Sequence, residues 1–200
     1  MLKKLLKLPY YIFIIIMEKV NFLYYSNKFG NFGNGSRIAK KIWLVNPSKI
    51  FIGKSCFIGP YARIETYTNY GNKITNPKLS FGDNCILQHA VHIYCANNIE
   101  FGEGCLIASG CMITDNNHGT DPESCFYADQ PLRAKSTIIK EGVWLGENVC
   151  VLAGSIIGKK CIIGANSVVN SNIPDYSIAA GNPAKVIKQY NFETKEWEKV

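Results

Sequence analysis

From Ile52 onward apolar side chains return at every sixth position. The chain reads "IGKSCF IGPYAR", then "FGDNCI LQHAVH IYCANN", "FGEGCL IASGCM ITDNNH" and, after an interruption, "LGENVC VLAGSI IGKKCI IGANSV VNSNIP". In the last block Leu145, Val151, Ile157, Ile163 and Val169 hold one register without slippage, and Gly146, Gly158 and Gly164 follow three of them. A period of six suits neither an isolated helix nor a hairpin meander. It predicts a solenoid in which each hexapeptide makes one short strand and one turn, with one apolar side chain pointing inward and stacked coils burying a continuous Ile/Leu/Val column. Glycine or asparagine at the turns would take backbone conformations that a Cβ hinders.

The period also explains most of the eight cysteines. Cys56, Cys85, Cys105, Cys111 and Cys161 each stand two residues before the next anchor, where other hexads place Val143, Val149, Ser155 or Ser167. A small, mostly apolar slot suits a free thiol. There is no CxxC pair and no Cys/His cluster at zinc spacing, so neither a disulfide framework nor a structural metal is expected. Reduced thiols point to the cytoplasm. Cys125, outside the repeats, is the thiol expected to be accessible.

Two stretches break the rhythm. Between Ile113 and Ser136 the hexad fails for over twenty residues, and one of only three histidines, His118, sits in "TDNNHGTD" at the start of the gap. An interruption of a tightly wound solenoid predicts an extruded loop, and such loops carry function. The segment "IETYTNYGNKITNPKLS" (Ile64 to Ser80) is a second interruption, either another loop or a distorted coil that helps shape an acceptor pocket. The division expected is an N-terminal extension over 1–45, a repeat region over 46–174 with its loop at 114–136, and a C-terminal segment over 175–200.

Length, charge and the N-terminus add limits. Two hundred residues, 47% apolar and 18% charged, fit one domain. The net charge of +7 favours an anionic partner such as a phosphate-bearing small molecule or a membrane surface. The basic residues form no single stripe interleaved with aromatics, which weighs against nucleic acid. The start, "MLKKLLKLPYYIFIIIM", has an apolar run from Leu8 to Met17, short of the ~20 residues that span a bilayer. It lacks the small-residue cleavage site of a secretory signal. Either it is an element buried against the domain or a partner subunit, or it lies in a membrane surface with Lys3, Lys4 and Lys7 near lipid phosphates.

These repeats resemble the hexapeptide-repeat acyltransferases. The resemblance covers residues 46 to 190 and implies an all-β fold: a left-handed parallel β-helix of triangular section with three hexapeptides per turn. It also implies a homotrimer that binds its acyl donor between subunits. The Trp144-to-Gly146 step and "GNPAKVIK" (Gly181 to Lys188) resemble the sugar O-acetyltransferase branch. "DNNHG" is similar to the loop entrance of polysaccharide-modifying relatives, which makes His118 the catalytic base by resemblance. The chemistry agrees, since acyl transfer to a hydroxyl needs a base near neutral pH, which imidazole supplies. No G-x-S-x-G elbow accompanies it, so the acceptor attacks directly.

The same resemblance implies acetyl-CoA as donor, with Gly146 and Ala165 along the pantetheine arm and Lys185 and Lys188 beside the nucleotide phosphates. Asn170 and Ser171 stand where relatives carry Thr-Lys, and Glu147 where relatives have a small residue. Asp115, Asn116 and Asn117 are turn formers or acceptor contacts; Gln88 and Trp144 complete the acceptor set, Trp144 equally as a wall residue. Asp121 or Glu123 is a candidate to orient the imidazole. The acceptor expected is a sugar or glycan hydroxyl. An amine acceptor, a non-catalytic scaffold, and a γ-type zinc carbonic anhydrase using His89, His92 and His118 are the alternatives.

Overall fold

The computed structural model describes residues 19–70, 73–124 and 126–200. The apolar run Leu8 to Met17 and the thiol of Cys125 lie outside them. Six coils stack into a prism with three parallel faces. The first face orders strands Asn31–Phe32, Ile50–Ile52, Lys78–Phe81, Asn98–Phe101, Thr137–Ile139 and Ile156–Ile157. The second orders Arg37–Ile38, Phe57–Ile58, Ile86–Leu87, Leu106–Ile107, Trp144–Leu145 and Ile162–Ile163. The third orders Trp43–Val45, Arg63–Thr66, His92–Cys95, Met112–Thr114, Cys150–Val151 and Val168–Val169. Coils therefore follow one another along the axis in chain order. Ser177–Ala180 extends the second face, and Lys185–Asn191 and Glu196–Lys199 then add to it antiparallel.

The core is the column the period predicts. Ile107, Ile113, Leu145, Val151, Ile157 and Ile163 are completely buried, each paired in register with the anchor of an adjacent coil. The small slot is buried as well, in all five cysteines and in Val143, Val149, Ser155 and Ser167. Serine and cysteine interchange there because both donate to the carbonyls of a neighbouring coil. Cys85 Sγ reaches Gly102 O at 3.1 Å, Cys111 Sγ reaches Gly146 O at 3.1 Å, and Ser155 Oγ reaches Val169 O at 3.1 Å. Burial pushes the Cys111 thiol up to about 11, as expected for an apolar slot.

One expected boundary moves. Coiling starts at Asn31, which pairs with Phe51, so residues 31–45 are the first coil and not an extension. Phe32, Ile38 and Leu44 keep the six-residue register there. Ahead of this coil a helix over 19–26 covers the end of the prism. Its Phe22 and Tyr25 pack on Phe32 at ring-centroid distances of 5.8 and 6.0 Å, and Asn21 bonds both the N–H and the carbonyl of Ile38.

Candidate functional site

Each broken stretch is an extruded loop. Residues 115–136 leave the prism where the third face turns to the first, tied at the base by an antiparallel ladder pairing Asn116 with Ala134 and Asn117 with Arg133. Asp115 anchors the loop from within. It is completely buried, and its carboxylate accepts from Ala96 N and Asn97 N, both at 2.8 Å, and from Asn116 Nδ2 at 2.9 Å. Asp115 is thus not available to an acceptor, contrary to its place in the expected acceptor set: it exchanges solvent for backbone donors. Burial and then the Asp115 charge push the Cys95 thiol up. Farther along, Gln130 is buried and bridges the loop, donating to Asp121 O at 2.8 Å and accepting from Asp121 N at 3.1 Å. Gly119 makes room for it, since a Cβ there would stand 2.4 Å from Gln130 Oε1.

His118 is exposed on this loop. With Asn117 it forms a ridge between two clefts. One is lined by Tyr67, Tyr94, Met112, Thr114 and Asn116, the other by Gly119, Thr120, Tyr127 and Arg133. The imidazole is held by the second loop, residues 67–76, whose strands Asn69–Tyr70 and Lys73–Ile74 pair antiparallel. Tyr70 Oη lies 3.1 Å from His118 Nδ1, with the rings edge-on at 5.5 Å. Neither expected orienting carboxylate does this, and Asp121 Oδ1 instead accepts from Glu123 N at 3.0 Å. In the tautomer with its proton on Nδ1, the ring donates to Tyr70 Oη and keeps the Nε2 lone pair for a reacting group.

Tyr67 is fixed in turn. Its hydroxyl donates to Glu65 Oε2 at 2.6 Å while Arg63 Nε donates to Glu65 Oε1 at 2.8 Å. Burial raises the Glu65 pKa, but those two bonds outweigh it and hold the carboxyl below its usual range. Burial and the Glu65 bond push the Tyr67 phenol up. Asn116 is half-buried and donates to Tyr94 O at 3.0 Å, so it shapes the first cleft as well as facing it.

The remaining expected residues lie elsewhere. Trp144 is outward on the second face, in register with Ile162, Ile178 and Lys188. A bulge between Ile178 and Ala179 lets Lys185 pair with Ala180 and Lys188 with Ile178, so two lysines three apart share that face. Gly146 sits against Ala165, whose N lies 2.7 Å from where a Cβ would be. Asn170 and Ser171 are exposed just past the third face, and Gln88 is exposed where the second face turns to the third. The loop corner is opposite the second face, so one chain does not bring Gln88, Trp144, Lys185 or Lys188 to His118. His89 packs on Tyr61 at 5.2 Å and His92 lies 6.3 Å from Tyr94, ring to ring; among the described residues no three metal-ligating side chains converge. Tyr67, Tyr70, Tyr94 and Arg133 carry no motif in the sequence, although the broken hexads at 64–80 mark where Tyr67 and Tyr70 fall and the gap after Ile113 marks where Arg133 falls.

Residues 136–171 match the family described as bacterial transferase hexapeptide (six repeats). The hexapeptide repeat of that family is present in this chain. A protein of Escherichia coli (strain K12) assigned to O-acetyl transfer in lipopolysaccharide biosynthesis, WbbJ, is 46% identical over 126 residues, covering 60% of this chain and 64% of that one. The galactoside O-acetyltransferase of Lactococcus lactis subsp. lactis (strain IL1403) is 34% identical over 146 residues, covering 70% of this chain and 63% of that one. This hexapeptide-repeat chain thus spans somewhat under two-thirds of the length of those relatives. Among solved structures, AntD, an N-acyltransferase from Bacillus cereus in complex with dTDP-4-amino-4,6-dideoxyglucose and coenzyme A, superposes with a TM-score of 0.70 at 19% identity over 84% of this chain and 87% of that one. The fold is the left-handed parallel β-helix of such acyltransferases.

Proposed function

We propose that the chain is an acetyl-CoA-dependent acetyltransferase acting on a hydroxyl of a sugar or glycan precursor, with His118 as general base. The observation that carries this reading is the ridge position of His118, reached from two clefts, with Nδ1 engaged by Tyr70. Nε2 would take the proton of the acceptor hydroxyl as it attacks, and the imidazolium would keep its Nδ1 bond. The thioester of acetyl-CoA supplies the electrophile. Tyr67 and Tyr94 offer the acceptor flat apolar surface, and Asn116 and Asn117 offer it amides.

The donor residues fit on two grounds. Lys185 and Lys188 present paired positive charge to phosphates on one face. The close approach of coils at Gly146 and Ala165 leaves that wall without bulk above the backbone. Since this face is opposite the His118 corner, a complete site takes the loop of one copy and the second face of another, which supports the homotrimer that the family resemblance implies. The reading places the protein in the cytoplasm, which suits the free thiols of the described cysteines.

Transfer to oxygen is preferred to transfer to nitrogen because the relatives matched over 126 and 146 residues are O-acetyltransferases by name. A sugar N-acetyltransferase of Aneurinibacillus thermoaerophilus matches over only 50. The test is incubation with labelled acetyl-CoA and a panel of sugars that includes amino sugars. His118→Ala should lower turnover about a hundredfold to ten-thousandfold and leave coenzyme A affinity in place. Unchanged turnover in that variant removes His118 from the chemistry.

A further inference from the structure

The helix over 19–26 is apolar on two sides. Phe22 and Tyr25 face the first coil, while Val20, Leu23 and Tyr24, spaced as one stripe, are 53%, 66% and 56% exposed. The helix cannot shift to bury that stripe, because Asn21 pins it to Ile38 and its other face fills the end of the core. Lys28 stands over the Tyr24 ring at 3.9 Å, and Lys19 and Arg37 border the groove beside Leu23.

Charge sorts along the prism in the same direction. Residues 19–64 hold eight of the 22 Lys and Arg and none of the 15 Asp and Glu. Because coils follow chain order along the axis, this positive excess lies at the end the helix covers, and residues 65–200 are net acidic. The sequence ahead of the helix continues both properties, with Lys3, Lys4 and Lys7 and the run Leu8 to Met17.

We propose that this end of the prism docks on an anionic lipid surface. The Val20–Leu23–Tyr24 stripe enters the headgroup boundary and the basic side chains of residues 19–64 meet the lipid phosphates. No helix of the described residues is long and apolar enough to cross a membrane. A second copy is a poorer occupant, since a symmetric contact would set two strongly positive ends together. Nucleic acid would meet the charge but gain nothing from exposed valine and leucine.

The experiment is flotation of the full chain with vesicles of phosphatidylcholine alone, and of two parts phosphatidylcholine to one part phosphatidylglycerol. The chain should float with the mixed vesicles, and high salt should weaken this about tenfold. Leu23→Asp should cut the partition about tenfold with an unchanged melting temperature, because that side chain is outside the core. Lys3→Glu/Lys4→Glu/Lys7→Glu should do so by a similar factor. No flotation of the native chain, or equal partition into neutral and anionic vesicles, overturns the proposal. So does a Leu23→Asp variant that changes oligomeric state at unchanged partition, which would give the face to contact between copies. Vesicle binding is read without any transfer assay, so it stands or falls separately from the enzymatic reading.

Discussion

Gly146 and Asn148 stand two residues apart in one hexad and solve different problems. Asn148 is the turn residue with a positive φ of 55°, which asparagine tolerates. Gly146 is needed for space, since the next coil passes where its Cβ would be. The sequence joins both under turn formation; separating them takes the distance between coils, which no single-strand pattern contains. Tyr70 was hidden for a similar reason. It is 48 residues from His118, and two extruded loops must meet before it acts. If its hydroxyl positions the imidazole, Tyr70→Phe should lower kcat about tenfold to a hundredfold, as for loss of a bond to a group that becomes charged. Coenzyme A affinity and melting temperature should hold. A variant with native kcat would show that the contact does not orient the base.

At the scale of elements, the coils were legible and the loops only locatable. An inward column with a small slot two residues earlier follows from period alone, and the first coil obeys it through Phe32, Ile38 and Leu44. Its phenylalanines and glycines dilute the Ile/Leu/Val signal, so the period alone sets the start of the repeats too late. What the loops do inside was not legible, because Asp115 and Glu65 look like ordinary solvated carboxylates until burial gives them partners. Glu65 makes a measurable difference. Its folded pKa is below the ordinary ~4.3, so its stabilisation is present above that value and is lost as pH falls through the lowered one. The melting temperature of the native chain should therefore drop below about pH 5 more steeply than that of Glu65→Gln, which should already be less stable at neutral pH. Parallel acid limbs in the two proteins would show that the Arg63–Glu65–Tyr67 bridge does not supply this term.

On the scale of the whole molecule, the second face carries an outward column of Phe57, Ile86, Leu106, Trp144 and Ile162 in continuous register. Trp144 is 48% exposed in the single chain, beside Ile86 and Leu106 at 38% and 37%. Apolar side chains lined up this way along a rigid prism mark a surface for another prism. The lysine pair lies on the same face, and His118 projects from the corner opposite. A shared site makes a sharp demand on mixed assemblies. His118→Ala and Lys185→Glu/Lys188→Glu should each be inactive alone, the first for want of a base and the second for want of donor affinity. If one copy supplies the base and its neighbour the donor face, the proposed trimers refolded from an equal mixture contain sites in which both contributors are native. Random assembly into a closed ring makes these about a quarter of all sites, so about a quarter of native activity should return. If both sets of residues served a site within one chain, every site in the mixture would carry a defect and the activity would stay at the level of the separate variants.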